Sequence, residues 1–243
     1  MYENLRYEYV SGGDVAVVTI DRPDARNAID RRTSEELADA WERFDDGDAK
    51  VGVLTGADGT FCAGADLKRM NLVDDRDGYL GMSRKRVSKP TIAAVEGYCV
   101  AGGLELALWC DMRTAGGGAA FGCFERRYGV PLVDGGTQRL PRIVGLGRAL
   151  EMIETGREVD PEEALDWGLV NEVVEEGEAL GAAVETAERV ASFPQDTLRA
   201  DRASVYDGLG RSPEDGMRAE AWHGSRVMDT AEEGARRFSE ESD

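Results

Sequence analysis

The sequence predicts an α/β fold with largely parallel strand pairing. Short apolar runs rich in Val and Ile, typical of buried strands, alternate with stretches of helical spacing as far as Gly145. Beyond Gly145 almost every pattern is helical. Strands that alternate with helices indicate parallel pairing. Pro194 marks the seam expected between the α/β part and the last helices.

Three buried strands and one helix are predicted in the first hundred residues. The strands cover Val15–Ile20, residues 51–55 and Thr91–Val95, where short apolar runs are rich in Val and Ile. Between the first two strands, residues 33–44 place apolar side chains at helical spacing. Thr33 or Ser34, followed by Glu, is the expected start of this helix.

The rest of the chain is predicted to contain one buried helix, three short strands and a series of helices. Residues 104–110 are mostly apolar, which predicts the buried helix. Short strands are expected at residues 111–114 and 119–122, on either side of the glycine turn at residues 116–118. Helices are expected at residues 148–154, 161–167, 179–192, 197–206, 213–228 and 231–240, with one strand at residues 169–174.

Composition indicates an acidic chain that can form a substantial core. The 243 residues fit one large domain, or one domain with an appendage, and 42% of them are apolar. The formal net charge is −19, from 48 acidic and 29 basic residues. This balance argues against a nucleic-acid partner, which requires clustered positive charge. An acid excess with only four lysines also suggests a halophilic protein, and an ordinary acidic surface is the alternative.

Neither a membrane span nor a metal site is expected. No apolar run approaches the length of a membrane span and the first residues lack the apolar stretch of a signal peptide, which favours a cytoplasmic protein. The cysteines form no Cys-x-x-Cys pair and are expected to be buried free thiols: Cys62, Cys99, Cys110 and Cys123. His223 is the sole histidine, so neither a metal-ligand cluster nor Ser-His-Asp catalysis is expected.

Two segments combine a strand-like run, a turn of small residues and the start of a helix. They are residues 61–68, FCAGADLK, and residues 95–107, VEGYCVAGGLELA. Turns of this kind leave backbone N–H groups unpaired, and a helix N-terminus adds partial positive charge. Two such N–H groups converging on one carbonyl oxygen would form an oxyanion hole, which stabilises an enolate or a tetrahedral anion.

Two acidic residues could supply proton chemistry beside such a hole. Glu105 is the one acid in an otherwise apolar segment, where a charge without a role is costly; complementing the helix dipole is its alternative role. Glu125 is expected on a loop that leaves a strand, and a salt bridge to Arg126 or Arg127 is the competing explanation for it. An anion hole beside a pair of carboxylates points to an enzyme.

Five short segments stand in a particular order and spacing: residues 21–28 (DRPDARNA), 64–66 (GAD), 102–105 (GGLE), 121–125 (FGCFE) and 135–140 (GGTQRL). Together they resemble the enoyl-CoA hydratase/isomerase (crotonase) superfamily. The resemblance implies a spiral of β-β-α turns over residues 1–193 and a C-terminal helical trimerisation region over residues 194–243. It also implies a homotrimer or homohexamer that acts on an acyl-CoA, with no metal or redox cofactor.

The resemblance further implies roles for individual residues. Ala65 and Gly102 are the positions at which the family places its two oxyanion-hole N–H groups. Glu105 and Glu125 match the hydratase pair that holds a water molecule. The positions implied to bind substrate are Arg26, Ala63, Asp66, Leu67, Lys68 and Asp134; Asp66 would also hydrogen-bond the loop that presents the Ala65 N–H, and Lys68, Arg26 and Arg22 would meet the CoA phosphates.

The role of Asp134 and the reaction itself leave alternatives open. Asp134 lies one position from where some family isomerases carry an acid; it would contact the acyl chain, move a proton or cap the helix suggested near Gly135. The favoured activity is hydration of the 2,3-double bond of an enoyl-CoA. A double-bond isomerase is the nearest alternative, followed by a CoA-thioester hydrolase or C–C lyase. A non-catalytic or RNA-binding homologue would not need both acids, and the negative charge argues against RNA.

Overall fold

The central sheet has six strands, and all but one of its strand pairs are parallel. The computed structural model describes residues 1–241. The sheet runs in the order β1 (Leu5–Val10), β2 (Val15–Ile20), β3 (Val51–Gly56), β4 (Thr91–Val95), β6 (Met112–Gly116) and β8 (Glu172–Val174), and only β1 and β2 are antiparallel. A second, parallel sheet pairs β5 (Tyr98–Val100) with β7 (Ala120–Gly122). The predicted α/β class is confirmed.

The helices lie close to their predicted positions. Within residues 1–241 they are α1 (Arg31–Asp46), α2 (Gly102–Trp109), α3 (Gly136–Val144), α4 (Leu146–Thr155), α5 (Pro161–Asp166), α6 (Ala179–Ala191), α7 (Gln195–Gly208), α8 (Pro213–Ser225) and α9 (Met228–Glu241). Each helix predicted with bounds agrees with the structure to within three residues at either end. No helix among the described residues is both long and apolar enough to span a membrane.

The two faces of the central sheet bury different sets of side chains, because successive residues of a strand point to opposite faces. Val15, Val17 and Val53 face α6, whose alanines recur every fourth residue and let the helix approach the sheet closely. On the other face the larger cluster includes Trp41 of α1 and Leu104 of α2. Helix α2 is therefore held between this core and the cavity described below.

Helix α1 begins earlier than its sequence pattern indicates. Asp30, not Thr33 or Ser34, is its N-cap residue, and the Asp30 side chain accepts hydrogen bonds from both the backbone N–H and the hydroxyl of Thr33. A side-chain oxygen at this position satisfies a helix N–H that has no partner within the helix. The predicted start at Thr33 or Ser34 was therefore two or three residues too late.

Two strands and the start of one helix follow weak sequence signals. Strand β1 buries only Leu5, so it lacks the apolar run of a central strand, and β5 is only three residues long. Helix α3 has Gly135 as its N-cap, with no side-chain cap hydrogen bond. The capping role considered for Asp134 is therefore wrong, and its carboxylate bonds elsewhere.

Candidate active site

A cavity of about 310 Å³ lies where the N-terminus of α2 meets the loop after β7 and the turn before α3. Most of its wall is apolar, and its polar groups are confined to a few positions. Eight of the predicted site residues line it: Ala63, Ala65, Asp66, Leu67, Gly102, Glu105, Glu125 and Asp134. The sequence segments that were predicted to form one site therefore meet in space.

Two backbone N–H groups at this cavity have no protein acceptor. The Ala65 N–H and the Gly102 N–H donate to no group within residues 1–241, whereas the adjacent Gly64 and Asp66 N–H groups are both bonded. Gly102 is the first residue of α2, where a helix has unpaired N–H groups and partial positive charge. The two segments are in close contact, because a Cβ placed on Gly64 would lie 3.0 Å from the Gly102 nitrogen.

Backbone conformation explains how these two turns come so near each other. Gly64 has a φ of +94°, which side-chain-bearing residues rarely adopt. Ala101, directly before α2, also has a positive φ of 53°, an uncommon value for a residue with a Cβ. Its own N–H is held by the Gly122 carbonyl of β7. The surrounding structure therefore imposes this conformation on the turn that presents the Gly102 N–H.

Glu105 is held rigidly at the cavity wall. Its side chain is buried, and its Oε1 accepts hydrogen bonds from the backbone N–H groups of Asp134 at 2.9 Å and Gly136 at 2.8 Å. A Cβ at position 136 would lie 3.0 Å from the same oxygen, so glycine keeps this approach open. Burial raises the pKa of Glu105 to about 7, although the two N–H bonds oppose this shift.

Glu125 has the opposite environment. It follows Phe124 in a short 3-10 helix after β7, and it is buried. Neither of its carboxyl oxygens has a hydrogen-bond partner among the described residues. Burial raises the pKa of Glu125, because the charged form loses its hydration. No ion pair joins it to Arg126 or Arg127, whose guanidinium groups instead donate to the carbonyls of Ile153 and Gly156.

Asp134 brings a third carboxyl group to the same wall. It is buried, and its Oδ1 accepts hydrogen bonds from the Ser83 hydroxyl and, at 3.3 Å, from the Leu80 N–H. Burial raises the pKa of Asp134, and the hydrogen bond from Ser83 opposes this shift. The carboxylate thus joins the turn before α3 to residues 80–83.

The Asp66 carboxylate hydrogen-bonds the segment that directly follows Ala65. Its Oδ1 accepts the N–H groups of Lys68 and Arg69, and its Oδ2 lies 3.0 Å from Arg22 Nη2. Arg22 is nearly buried and also pairs with Asp30 at 3.1 Å. Because these internal ion pairs occupy its guanidinium, Arg22 does not offer the phosphate contact that was suggested for it.

Comparison with known proteins places this chain in a family. A family model described as enoyl-CoA hydratase/isomerase matches residues 11–243. The chain belongs to the enoyl-CoA hydratase/isomerase family. Enoyl-CoA hydratase EchA19 of Mycobacterium tuberculosis is 35% identical to it over 242 residues, which cover 94% of this chain and 91% of the relative. Short-chain-enoyl-CoA hydratase of Clostridium acetobutylicum is 40% identical over 207 residues, which cover 81% and 79% of the two chains.

Solved structures of this enoyl-CoA hydratase/isomerase family have the same fold. The crystal structure of enoyl-CoA hydratase EchA1 from Mycobacterium marinum matches with a TM-score of 0.93 at 36% identity. The match covers 98% of this chain and 96% of the EchA1 chain. The predicted family and its fold, with a C-terminal helical region, are therefore confirmed.

Two of the predicted substrate-binding bases of this family member lie outside the cavity. Arg26 is exposed, and its guanidinium lies 5.6 Å from the centre of the Tyr98 ring. Lys68 is exposed one residue beyond Leu67, a residue of the cavity wall. The Ala63 N–H donates to the Arg26 carbonyl, so both bases lie near the side of the cavity that carries Ala63 and Leu67.

Part of the cavity wall was not predicted. The unpredicted residues are Met70, Leu72, Tyr79, Leu80, Ala101, Phe124, Tyr128, Val130, Pro131 and Val133. Several of them lie between α1 and β4, where the chain forms no regular element from residue 66 to residue 90 and no periodic pattern could be recognised. The proximity of Phe124 and Tyr128 to Glu125 in the sequence was the available signal, because residues adjacent to a predicted site residue often line the same cavity.

Proposed function

We propose that this protein is an enoyl-CoA hydratase that adds water across the 2,3-double bond of an enoyl-CoA. The observation that carries the proposal is the pairing of two unbonded N–H groups, at Ala65 and Gly102, with two buried carboxyl groups, at Glu105 and Glu125, around one apolar cavity. Family membership and the hydratases among its relatives support the same reaction.

The N–H pair would stabilise the intermediate. Addition of hydroxide to the β-carbon moves the electrons of the double bond to the thioester oxygen, which becomes an enolate. Donors that already point at this oxygen need no rearrangement during the reaction, and each is worth about 10²–10³ in turnover. The Gly102 N–H adds the partial positive charge of the α2 N-terminus.

The two glutamates would divide the proton transfers according to their surroundings. Two backbone N–H bonds favour the ionised form of Glu105, so it acts as the base that takes a proton from water. Glu125, buried without any partner, is favoured in its neutral form and gives its proton to the α-carbon. Glu105 gains one proton and Glu125 loses one, so one proton exchange between them restores the starting state.

The coenzyme A part of the substrate would be bound along the cavity wall and at its exposed edge. Coenzyme A belongs to the substrate, and the proposed chemistry uses no metal and no redox group. Ala63, Asp66 and Leu67 would contact the acyl-CoA along the cavity wall. Arg26 and Lys68 would meet its phosphates, since both are exposed near that wall on a protein that is otherwise strongly acidic.

We also propose that the protein assembles as a homotrimer or homohexamer through residues 194–243. Exposed apolar side chains in this region support this assembly: Met217 is 62%, Trp222 55% and Met228 54% exposed. Apolar groups clustered on one region are expected at a subunit contact. Light scattering across protein concentration tests the assembly, and an active strict monomer would refute it.

The acidic composition supports two further proposals about the surroundings of the protein. With a net charge of −19, it is expected to be adapted to high salt and to bind no nucleic acid. We further propose that it is cytoplasmic and binds no membrane. Two relatives carry the word mitochondrial in their names, so localisation should be tested directly, by fractionating cells of the source organism.

A panel of enoyl-CoA thioesters tests the reaction. The thioesters should differ in chain length and double-bond position, and the conjugated thioester absorbance should be followed while products are identified by mass. Hydration removes the absorbance of a 2-enoyl-CoA and adds the mass of one water. An unchanged mass with a moved double bond would identify an isomerase instead, and release of free coenzyme A would identify a hydrolase.

A further inference from the structure

Glu105 owes its position to a turn that other residues hold in place. The turn provides the N–H groups of Asp134 and Gly136, which both bond to Glu105 Oε1. Its conformation depends on Gly135, whose φ of +107° is disfavoured for other residues. The bonds that fix this turn therefore decide where the carboxylate of Glu105 lies.

Three side chains join this turn to the segment before β4. The Ser83 hydroxyl donates to Asp134 Oδ1, and the Arg139 Nη1 donates to the Asp134 carbonyl at 2.9 Å. Arg139 also reaches the Ser83 carbonyl through its Nη2 at 2.5 Å. These bonds form a closed ring, here called the Ser83–Asp134–Arg139 unit, which is bonded to Glu105 through the Asp134 N–H.

The unit buries a carboxyl group that has no direct ionic partner. Asp134 is 3% exposed and forms no direct ion pair among the described residues, although the positive charge of Arg84 favours its ionised form. Burial of a carboxylate is unfavourable, so hydrogen bonds must compensate for its lost hydration. Arg139 likewise has no carboxylate partner among the described residues and spends its donors on two carbonyls. Gly78 leaves the room for this contact, because a Cβ there would lie 2.6 Å from Asp134 Oδ1.

We propose that Ser83, Asp134 and Arg139 are positioning residues that fix Glu105 in its reactive geometry and lock the wall at residues 80–83 to it. The proposal rests on the proposed role of Glu105 as the base. Reacting groups must be placed closely, and a displacement of about 1 Å can lower turnover by about 10²-fold. Asp134 then acts through its hydrogen bonds and transfers no proton itself.

Substitutions at Asp134 separate positioning from proton transfer. Asp134→Asn keeps an oxygen that can accept from Ser83 and Leu80, so its kcat should fall much less than that of Asp134→Ala. Asp134→Ala removes the acceptor, and kcat should fall about 10-fold to 100-fold, the range expected for losing a hydrogen bond to a charged group. Equal, severe losses in both variants would overturn the proposal and make Asp134 a proton-transfer residue.

Ser83→Ala and Arg139→Gln test the other two members. Each should lower kcat about tenfold or more while the KM for the acyl-CoA changes less than about threefold, because the N–H pair and the CoA contacts are untouched. Arg139→Lys should recover part of the loss. The double variant should lose little more than either single one, since both act through the same turn. Arg142→Gln is the matched control, because Arg142 is exposed on the same helix and, within residues 1–241, bonds only to Gln138.

The pH profile gives a readout that loss of packing would not produce. The charged groups that face Glu105 are Asp134, Glu125 and Arg139, and the Cys123 thiol is close by. Removing the negative charge in Asp134→Asn should move the acidic limb of kcat/KM to lower pH. Removing the positive charge in Arg139→Gln should move it to higher pH. If both variants moved the acidic limb of kcat/KM in the same direction, the proposed placement of Asp134 and Arg139 beside Glu105 would be wrong.

Amide hydrogen exchange tests the unit without any turnover. The exchange of peptides covering residues 130–140 should accelerate in Ser83→Ala and Arg139→Gln but not in Asp134→Asn or Arg142→Gln, because the N–H groups that bond to Glu105 lose protection when the turn loosens. A wild-type protein that hydrates no enoyl-CoA would refute the proposed function, and this exchange result would still decide the positioning proposal. Unchanged exchange and unchanged kcat in Ser83→Ala and Arg139→Gln would overturn it.

Discussion

A Cβ added to Gly102 would lie 3.5 Å from the backbone nitrogen of Ala65, although the two residues belong to turns far apart in the chain. The N–H groups of both residues are free of protein acceptors within residues 1–241. Two unpaired donors so close together are a specific arrangement, because backbone N–H groups are otherwise nearly always bonded. The pair has no evident structural role, which supports the proposal that it binds an anionic oxygen.

Gly102→Ala should disable this pair. The new Cβ would lie 3.1 Å from Leu80 Cδ1 and 3.3 Å from Gly64 Cα, so the Leu80 side chain and the Gly64 turn must shift by a few tenths of an ångström. We expect kcat/KM to fall about 10²-fold, the range for losing one oxyanion donor, while the melting temperature changes little. Gly147→Ala in α4 is the control, because a Cβ there meets nothing within 4 Å. Wild-type kinetics in Gly102→Ala would argue against the oxyanion hole.

Glu105→Gln and Glu125→Gln should each lower kcat severely and leave acyl-CoA binding nearly intact. General acid–base groups contribute about 10²–10⁴-fold to a rate. Stopped-flow turnover and calorimetric binding of a non-reactive acyl-CoA separate the two effects, with the exposed Glu154→Gln as the control. If Glu125→Gln remained near wild type on a 2-enoyl-CoA, the hydratase mechanism would be wrong. Loss of hydration with retained isomerisation would favour a mechanism with one base.

Activity and stability should respond to pH in opposite directions around Glu105. Its pKa of about 7 in the folded protein exceeds the ordinary value of 4.5, so kcat/KM should rise with pH through about 7 as the base ionises. The folded state binds this proton more tightly than the unfolded state. Its stabilising effect is therefore present below pH 4.5 and is lost as the pH rises to 7, a difference of about 3 kcal/mol.

Glu105→Gln isolates this effect, because glutamine does not titrate and its carbonyl oxygen can still accept the two N–H bonds. Urea unfolding of both proteins should show that the variant gains stability relative to wild type as the pH rises from 4.5 to 8. A difference between the two proteins that does not change with pH would mean that Glu105 has an ordinary pKa.

Salt should stabilise the protein and weaken its substrate binding. Charges on the surface repel one another across about 30 Å at 0.01 M salt but only about 3 Å at 1 M. A chain with a net charge of −19 should therefore melt at a higher temperature in molar KCl. The KM for the acyl-CoA should increase over the same range, and less so in Lys68→Gln, if Lys68 meets a phosphate. A flat or falling melting temperature would contradict adaptation to salt.

The sequence could indicate individual site residues but not the contacts that hold them in place. Glu105 and Gly102 were predictable, because an acid within an apolar helix and a glycine at its start are local signals. The contact of Ser83 with Asp134 spans 51 positions and has no periodic pattern. Arg22 looked like a surface base, and only the fold reveals that Asp30 and Asp66 enclose it. Residues with local sequence signals were therefore predictable, whereas side-chain contacts between segments far apart in the sequence were not.

Neither carboxyl oxygen of Glu125 has a hydrogen-bond partner within residues 1–241, so no hydrogen bond of the fold depends on this side chain. A neutral or apolar residue of similar size there would leave no donor unpaired and would remove the expense of a buried carboxyl group. Glu105 differs, since its loss would leave the N–H groups of Asp134 and Gly136 without an acceptor. Homologues that are no longer selected for catalysis would be expected to lose Glu125 first and to remain well-folded proteins that still bind acyl-CoA. A substitution at this one position would then identify such inactive homologues.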